Sequence, residues 1–292
     1  MKRWLRKRTQ DIYWLFWLSR PNNVFISALT YSVCAWIGSH YEVSFYQFPV
    51  FWQQGGILVA ITASGYWIND IFDYKIDRIN RPGRTIVSVY VSPKKVWTYY
   101  CLVCGLIIGA SFQLPWKFQL IDWFALTALY AYAYIYKRKN AIGNLLISLL
   151  SALVVVSAAL LFHFTKTLAW LAVFAFWTTF IRELTKDVED LPGDVSANLE
   201  TLPIQLGIIK TKKVLFYAYI ILLFLCNLPY FLKHFDWKYL LLSWGLVQTP
   251  ILYTIRLLVK ADEYKDFGYQ SRLLKWIMLG GLLLFVVYGL SA

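Results

Sequence analysis

Residues 67–84 read WINDIFDYKIDRINRPGR and follow directly on an apolar run. They gather Asn69, Asp70, Asp73 and Asp77 into little more than two helical turns. At about 100° per residue the three aspartates point within about 60° of one another, and Asn69, Asp73 and Asp77 stack at i, i+4, i+8. Like charges at that spacing repel and weaken a helix unless positive charge sits among them. A second acid-rich stretch, RELTKDVEDLPGDVSANLETLP at 182–203, also follows an apolar run. There Glu183, Asp187 and Asp190 share a helical face and Glu189 points away, while Pro192 and Gly193 should end the helix and leave Asp194 on a loop. Nine of the 16 acids fall in these two windows, so they are placed rather than scattered.

The remainder of the chain explains why placement matters. Its 292 residues are 59% hydrophobic and only 15% charged, against about 25% charged in soluble domains. Apolar runs near the length needed to cross a bilayer recur throughout. The reading is all-α: a polytopic membrane protein with nine spans near 22–39, 53–73, 95–113, 118–136, 143–163, 168–185, 213–231, 238–257 and 273–291. Residues 1–21 form a basic, Trp-rich interfacial segment without a small-residue cleavage site after the first span, and 22–292 a single bundle. Alternate loops divide the 29 Lys and Arg residues 25 to 4. This places the N-terminus and both acid-rich stretches in the cytoplasm and the C-terminus outside, in a cell inner membrane. The same asymmetry accounts for the net charge of +13 without a nucleic-acid partner. Cys101 and Cys104 form a C-x-x-C with no second pair, which favours small core residues over a metal or redox site. The three histidines, His40, His163 and His234, look scattered.

Acids at a membrane edge are costly and mark function by default. Oxygen-only donors suit a hard cation such as Mg²⁺, which takes one or two carboxylates and completes its shell with water and substrate phosphates. Two clusters on one side of the membrane are expected to hold a diphosphate between cations. Asn69, Asp70, Asp73, Asp77, Glu183, Asp187, Asp190 and Asp194 are the expected ligands. Lys75, Arg78, Arg81, Arg84, Lys137, Arg138 and Arg182 are expected on phosphate oxygens. The competing structural reading is a solvated loop edge in which Asp and Arg simply pair, and positive-inside placement explains many of the basic residues.

Asn69-Asp70-x-x-Asp73-x-x-x-Asp77 resembles the first motif of the UbiA-type intramembrane prenyltransferases, and Asp190-x-x-x-Asp194 resembles their second. Arg20-Pro21-x-Asn23, Lys137-Arg138 with Gly143-Asn144, and Leu202-Pro203 with Gly207 are supporting matches. The resemblance implies a helical bundle around a central cavity with Mg²⁺ and a polyprenyl diphosphate at its cytoplasmic mouth. Asp70, Asp73, Asp77, Asp187, Asp190 and Asp194 would be catalytic, and Arg20, Asn23, Tyr134 and Asn144 would line the cavity. Where many members read R-P-I-x-S-G, Arg84–Val89 lacks both the Pro and the Gly, which leaves the loop's conformation and the role of Arg84 open. The segment around Arg182–Asp194 looks most like the branch that makes digeranylgeranylglyceryl phosphate, whose acceptor is a lipid glycerol phosphate. Arg182, Lys186, Lys210, Lys212 and Lys213 are available to an acceptor phosphate.

Three other readings stay open. The acceptor can be aromatic, as in quinone or tocopherol-type pathways. The allylic cation can attack its own chain, as in a terpene cyclase of the same family. The acids can serve a transporter, although transporter sites favour the bilayer midplane over span ends. Prenyl chain length and oligomeric state are not encoded in these patterns.

Overall fold

In a computed structural model the described backbone covers residues 2–80, 85–139 and 141–291. Arg81 and Arg84, and the side chain of Arg138, therefore lie outside the described residues. Helix α1 runs Lys2–Leu18, α2 Pro21–Gly38, α3 Pro49–Asn80, α4 Pro93–Ser111, α5 Trp116–Tyr134 and α6 Ile142–Ala159. They are followed by α7 Lys166–Glu189, α8 Leu191–Ser196, α9 Leu202–Phe231, α10 Trp237–Ser243, α11 Thr249–Lys260 and α12 Asp266–Ser291. Among the described residues, extended pairing is confined to two isolated bridges, Val87 with Val91 and Lys139 with Glu200. Each expected span coincides with a long helical stretch. Among the described residues, five stretches are both long and apolar enough to cross a membrane: Ile142–Ala159, Lys166–Glu189, Leu202–Phe231, Trp237–Lys260 and Asp266–Leu290.

The helices group into two compact units, residues 1–29 with 46–136, and residues 30–45 with 137–292. In the first, α1 packs Leu15 and Leu18 with Val87, Val91 and Val96. Trp14 stacks on Tyr90 at 3.9 Å, Lys95 pairs with Asp11 at 2.7 Å, and Trp67 Nε1 donates to the Leu15 carbonyl and Ser19 Oγ. The opposite side of α1 exposes Ile12, Tyr13, Phe16 and Trp17. One face is thus held by protein and the other is left apolar, as suits a bilayer surface. The loop after the acid-rich end of α3 closes as a tight turn with Ser88 N donating to Val91 O. Without the glycine, Ser88 itself takes the left-handed conformation, φ 70, and Arg78 Nη2 donates to its hydroxyl at 2.6 Å.

The second unit contains two departures from regular helix. Within α9, Gly207 adopts φ 77, a region that only glycine enters readily, so the helix breaks ahead of its membrane-length portion. Between α10 and α11 the backbone passes through a π-helical segment, Trp244–Gln248. There Asn227 Nδ2 donates to Gln248 Oε1 at 2.9 Å and Gln248 Nε2 to Ser243 Oγ at 3.1 Å. Such interhelical amides satisfy polar groups that lipid cannot. Two histidines expected to be isolated are neighbours, with the His40 and His163 rings 5.4 Å apart. The third, His234, accepts from Trp170 Nε1.

Helix α12 reaches the π segment through a glycine: a Cβ at Gly280 would sit 2.6 Å from the Leu246 carbonyl oxygen, while one at Gly281 would meet nothing within 4 Å. Gly280→Ala is therefore expected to lower stability by about 1–3 kcal/mol, the usual range for overpacking. Gly281→Ala should be neutral or slightly stabilising. Thermal unfolding of both variants in the same detergent checks the contrast.

Candidate functional site

The first acid cluster belongs to the first unit. Helix α3 has 32 residues, about 48 Å at 1.5 Å per residue, against roughly 30 Å of bilayer hydrocarbon. Asn69 and the aspartates lie on its C-terminal turns, 20 or more residues after Pro49. Asp73 is 4% exposed, and Asp70 receives Arg20 Nη2 at 2.7 Å. Arg20 sits between α1 and α2 at φ 52, with its guanidinium 4.7 Å from the centre of the Tyr66 ring. Asn23 Nδ2 donates to the Tyr66 hydroxyl at 3.0 Å. Burial would lower the Arg20 pKa, but Asp70 foremost, with Tyr66, Asp77 and Asp73, raises it overall, so this side chain stays charged. Arg20 and Asn23 thus meet on Tyr66, a residue the sequence did not single out, and Arg20 also holds Asp70. Tyr66 stands four residues before Asp70, on the same helical face, and that spacing was the available signal.

The other expected members of this unit divide. Lys75 is exposed. Arg78 is occupied in pinning the Ser88 turn. Tyr134, expected to line the cavity, is 53% exposed and packs on Phe72 at 5.5 Å. Phe72 is two residues from Asp70, about 200° around the helix, so Tyr134 belongs to an aromatic group on the side of α3 away from the acids. Tyr130 and Trp97 join that group, each within 6.5 Å of Phe72.

The second cluster belongs to the second unit and is built on α7. Asn144 of α6, 4% exposed, donates to Asp187 Oδ2 at 2.7 Å. Asp187 also lies within electrostatic reach of Asp194, Glu183 and Lys186. Asp190 caps the C-terminus of α7. Asp194 is not on a loop as expected: Pro192 falls in the first turn of α8, where its missing N–H costs nothing, and Asp194 N donates to Asp190 O at 3.2 Å. This extra turn buries Asp194 to 5% exposure. Glu189 points elsewhere, as expected, against the backbone of Gly268.

Glu183 differs from the expectation of a cation ligand. It is 6% exposed, and both oxygens are taken, Oε1 by Arg182 Nη1 and Oε2 by Lys186 Nζ, each at 2.7 Å. Lys137 is within electrostatic reach of the same carboxylate. Of the lysines offered to an acceptor phosphate, Lys212 instead donates to the Val259 and Ala261 carbonyls at the C-terminal end of α11. Lys210 and Lys213 are exposed.

The donor set fits a hard divalent cation. It is all oxygen, and buried carboxylates such as Asp73 and Asp194 need matching positive charge. Among the described residues no group of three or more His, Cys, Asp or Glu side chains is placed to hold a metal ion by itself, so a Mg²⁺ ion here would need substrate phosphates and water to complete its shell.

The UbiA prenyltransferase family pattern matches residues 26–279. The digeranylgeranylglyceryl phosphate synthase of Methanosphaera stadtmanae is 31% identical over 278 residues, covering 94% of this chain and 97% of that protein. The synthase of the same name from Methanococcus aeolicus is 33% identical over 236 residues, covering 79% and 82%. A solved structure of a digeranylgeranylglyceryl phosphate synthase superposes with a TM-score of 0.75 at 26% identity, covering 96% of this chain and 99% of that one. A UbiA homologue from Archaeoglobus fulgidus, bound to GPP and Mg²⁺, shares the fold with a TM-score of 0.63 at 17% identity, covering 94% and 99%.

The amide that holds Asp187 gives a direct test of how the second cluster is supported. Asn144→Leu keeps the volume but leaves a buried carboxylate oxygen without its donor. The expected loss is about 1–3 kcal/mol, read as a lower unfolding midpoint in detergent; an unchanged midpoint would show that the amide contributes nothing.

Proposed function

This chain belongs to the UbiA prenyltransferase family, and on that premise we propose that it transfers a geranylgeranyl group from its diphosphate to the hydroxyl of a lipid glycerol phosphate. It is a membrane prenyltransferase. The observation that carries the acceptor class is the run of relatives named digeranylgeranylglyceryl phosphate synthase, matched along nearly their whole length. An aromatic acceptor finds no support among these relatives. In this reading residues 22–292 work as one nine-span domain, α1 lies along the cytoplasmic surface of the inner membrane, and both acid clusters serve the cytoplasmic side.

The residues divide the work. Asp70, Asp73 and Asp77 on α3, with Asn69, and Asp187, Asp190 and Asp194 on α7 and α8 would hold Mg²⁺ on the diphosphate. Bound there, the cation neutralises charge on the leaving group. Arg20 fixes Asp70 and Asn144 fixes Asp187, so the carboxylates are oriented before substrate arrives. Lys75, Lys137, Arg138, Arg182 and Arg84 supply positive charge to phosphate oxygens, while Arg78 shapes the adjoining loop. Apolar, aromatic-rich helices keep water from the allylic carbon, which otherwise hydrolyses. The bond from C1 to the diphosphate oxygen breaks, the ether bond from C1 to the acceptor oxygen forms, and the hydroxyl proton passes to water or to the departing diphosphate.

Purified protein given Mg²⁺, geranylgeranyl diphosphate and a panel of acceptors tests the reading. Ether formation on geranylgeranylglyceryl phosphate is expected. Turnover only on hydroxybenzoate-like or homogentisate-like acceptors, or a cyclic hydrocarbon released without acceptor, would overturn it. Asp73→Ala and Asp190→Ala are each expected to reduce turnover by more than about 100-fold, the scale of losing a preorganised electrostatic partner, with the helical circular dichroism spectrum unchanged.

A further inference from the structure

Helix α7 carries a charge cluster one turn before Asp187 whose arithmetic favours an anion. Glu183 and Lys186 are three residues apart on one face, Arg182 is adjacent, and the two cations close on the buried carboxylate at 2.7 Å each. With Lys137 also within electrostatic reach, three positive charges gather on Glu183 and still outnumber it together with neighbouring Asp187. A divalent cation entering here would be repelled by these groups and would have to displace a charge-assisted hydrogen bond to reach Glu183. An anion meets the opposite field.

A second observation points the same way. Arg182 spends Nη1 on Glu183, yet its Nε is buried with no acceptor among the described residues. A buried donor left without a partner costs about 1–3 kcal/mol. The guanidinium is a fixed fork, and a phosphate satisfies it two donors at a time.

We propose that Glu183 is a positioning residue rather than a metal ligand: it holds Arg182 and Lys186 as a paired recognition element for a substrate phosphate group. The proposal rests on the prenyltransferase reading and assigns Glu183 a separate task from that of Asp187, Asp190 and Asp194. Two phosphates are available, the diphosphate of the prenyl donor and the phosphate of the glycerol acceptor, and they share the recognition chemistry.

Steady-state kinetics of Glu183→Gln and Glu183→Asp in the full-length protein separate the possibilities. The KM for prenyl diphosphate, the KM for geranylgeranylglyceryl phosphate and the Mg²⁺ concentration for half-maximal rate are each measured. Glu183→Gln is expected to raise one of the two KM values by about 10-fold or more, the loss of roughly one charge-assisted hydrogen bond. The Mg²⁺ midpoint should stay within about 2-fold, which is RT ln 2 and below the effect of losing a ligand. Which KM moves identifies the phosphate. Glu183→Asp, which keeps the charge, should recover part of the loss, and Arg182→Gln should raise the same KM. If Glu183→Gln does not fold, Arg182→Gln carries the same three readings. A several-fold rise in the Mg²⁺ midpoint, or two unchanged KM values, would overturn the proposal. Failure of the wild-type protein to use the glycerol phosphate would instead overturn the acceptor assignment and leave the prenyl diphosphate arm readable with whichever acceptor turns over.

Discussion

A carboxylate at the end of an apolar helix is tolerated only where positive charge or hydrogen-bond donors come within reach, because the surrounding medium screens little. The arrangement in each unit follows from that constraint. Arg20 is held at a left-handed backbone position and closes on Asp70. Asn144 is buried on α6 where its amide meets Asp187. Glu183 draws two cations to itself. The two cations on Glu183 come from its own turn of α7, whereas Arg20 and Asn144 come from other segments of their units.

That separation also explains what could be read from the sequence. The positions of the long helices were legible because apolar runs are local signals, although α3, α9 and α12 extend well past the expected spans, and the acid faces were legible because 3.6-residue periodicity is arithmetic. The kink at Gly207 and the π segment at Trp244–Gln248 were not, since their conformations answer to packing against other helices. Tyr66 escaped notice because its importance lies in Asn23 and Arg20, more than 40 residues away. Asp194 was misplaced because a proline was taken as a stop, although at the first turn of a new helix it is a start.

Among the candidate residues, the chemistry sorts by what each side chain already holds. Asp70 is braced by the Arg20 guanidinium and Asp187 by the Asn144 amide. Glu183 has both oxygens engaged, and Arg78 and Lys212 are spent on a loop and on helix-end carbonyls. Residue type and spacing alone placed all of these in one functional list; distance divides them into binding groups and supports. The same sorting leaves Arg182 as a cation with a buried donor still to place.

The central claim is that each acid cluster takes part in Mg²⁺-dependent binding of the prenyl diphosphate. Calorimetric binding of an unreactive geranylgeranyl thiodiphosphate, with and without Mg²⁺, tests it most directly. Wild-type protein should bind the analogue only when Mg²⁺ is present, and Asp73→Asn and Asp190→Asn should each abolish that Mg²⁺-dependent binding. Equal affinity in the absence of Mg²⁺, or unchanged Mg²⁺-dependent binding after either substitution, would contradict the account.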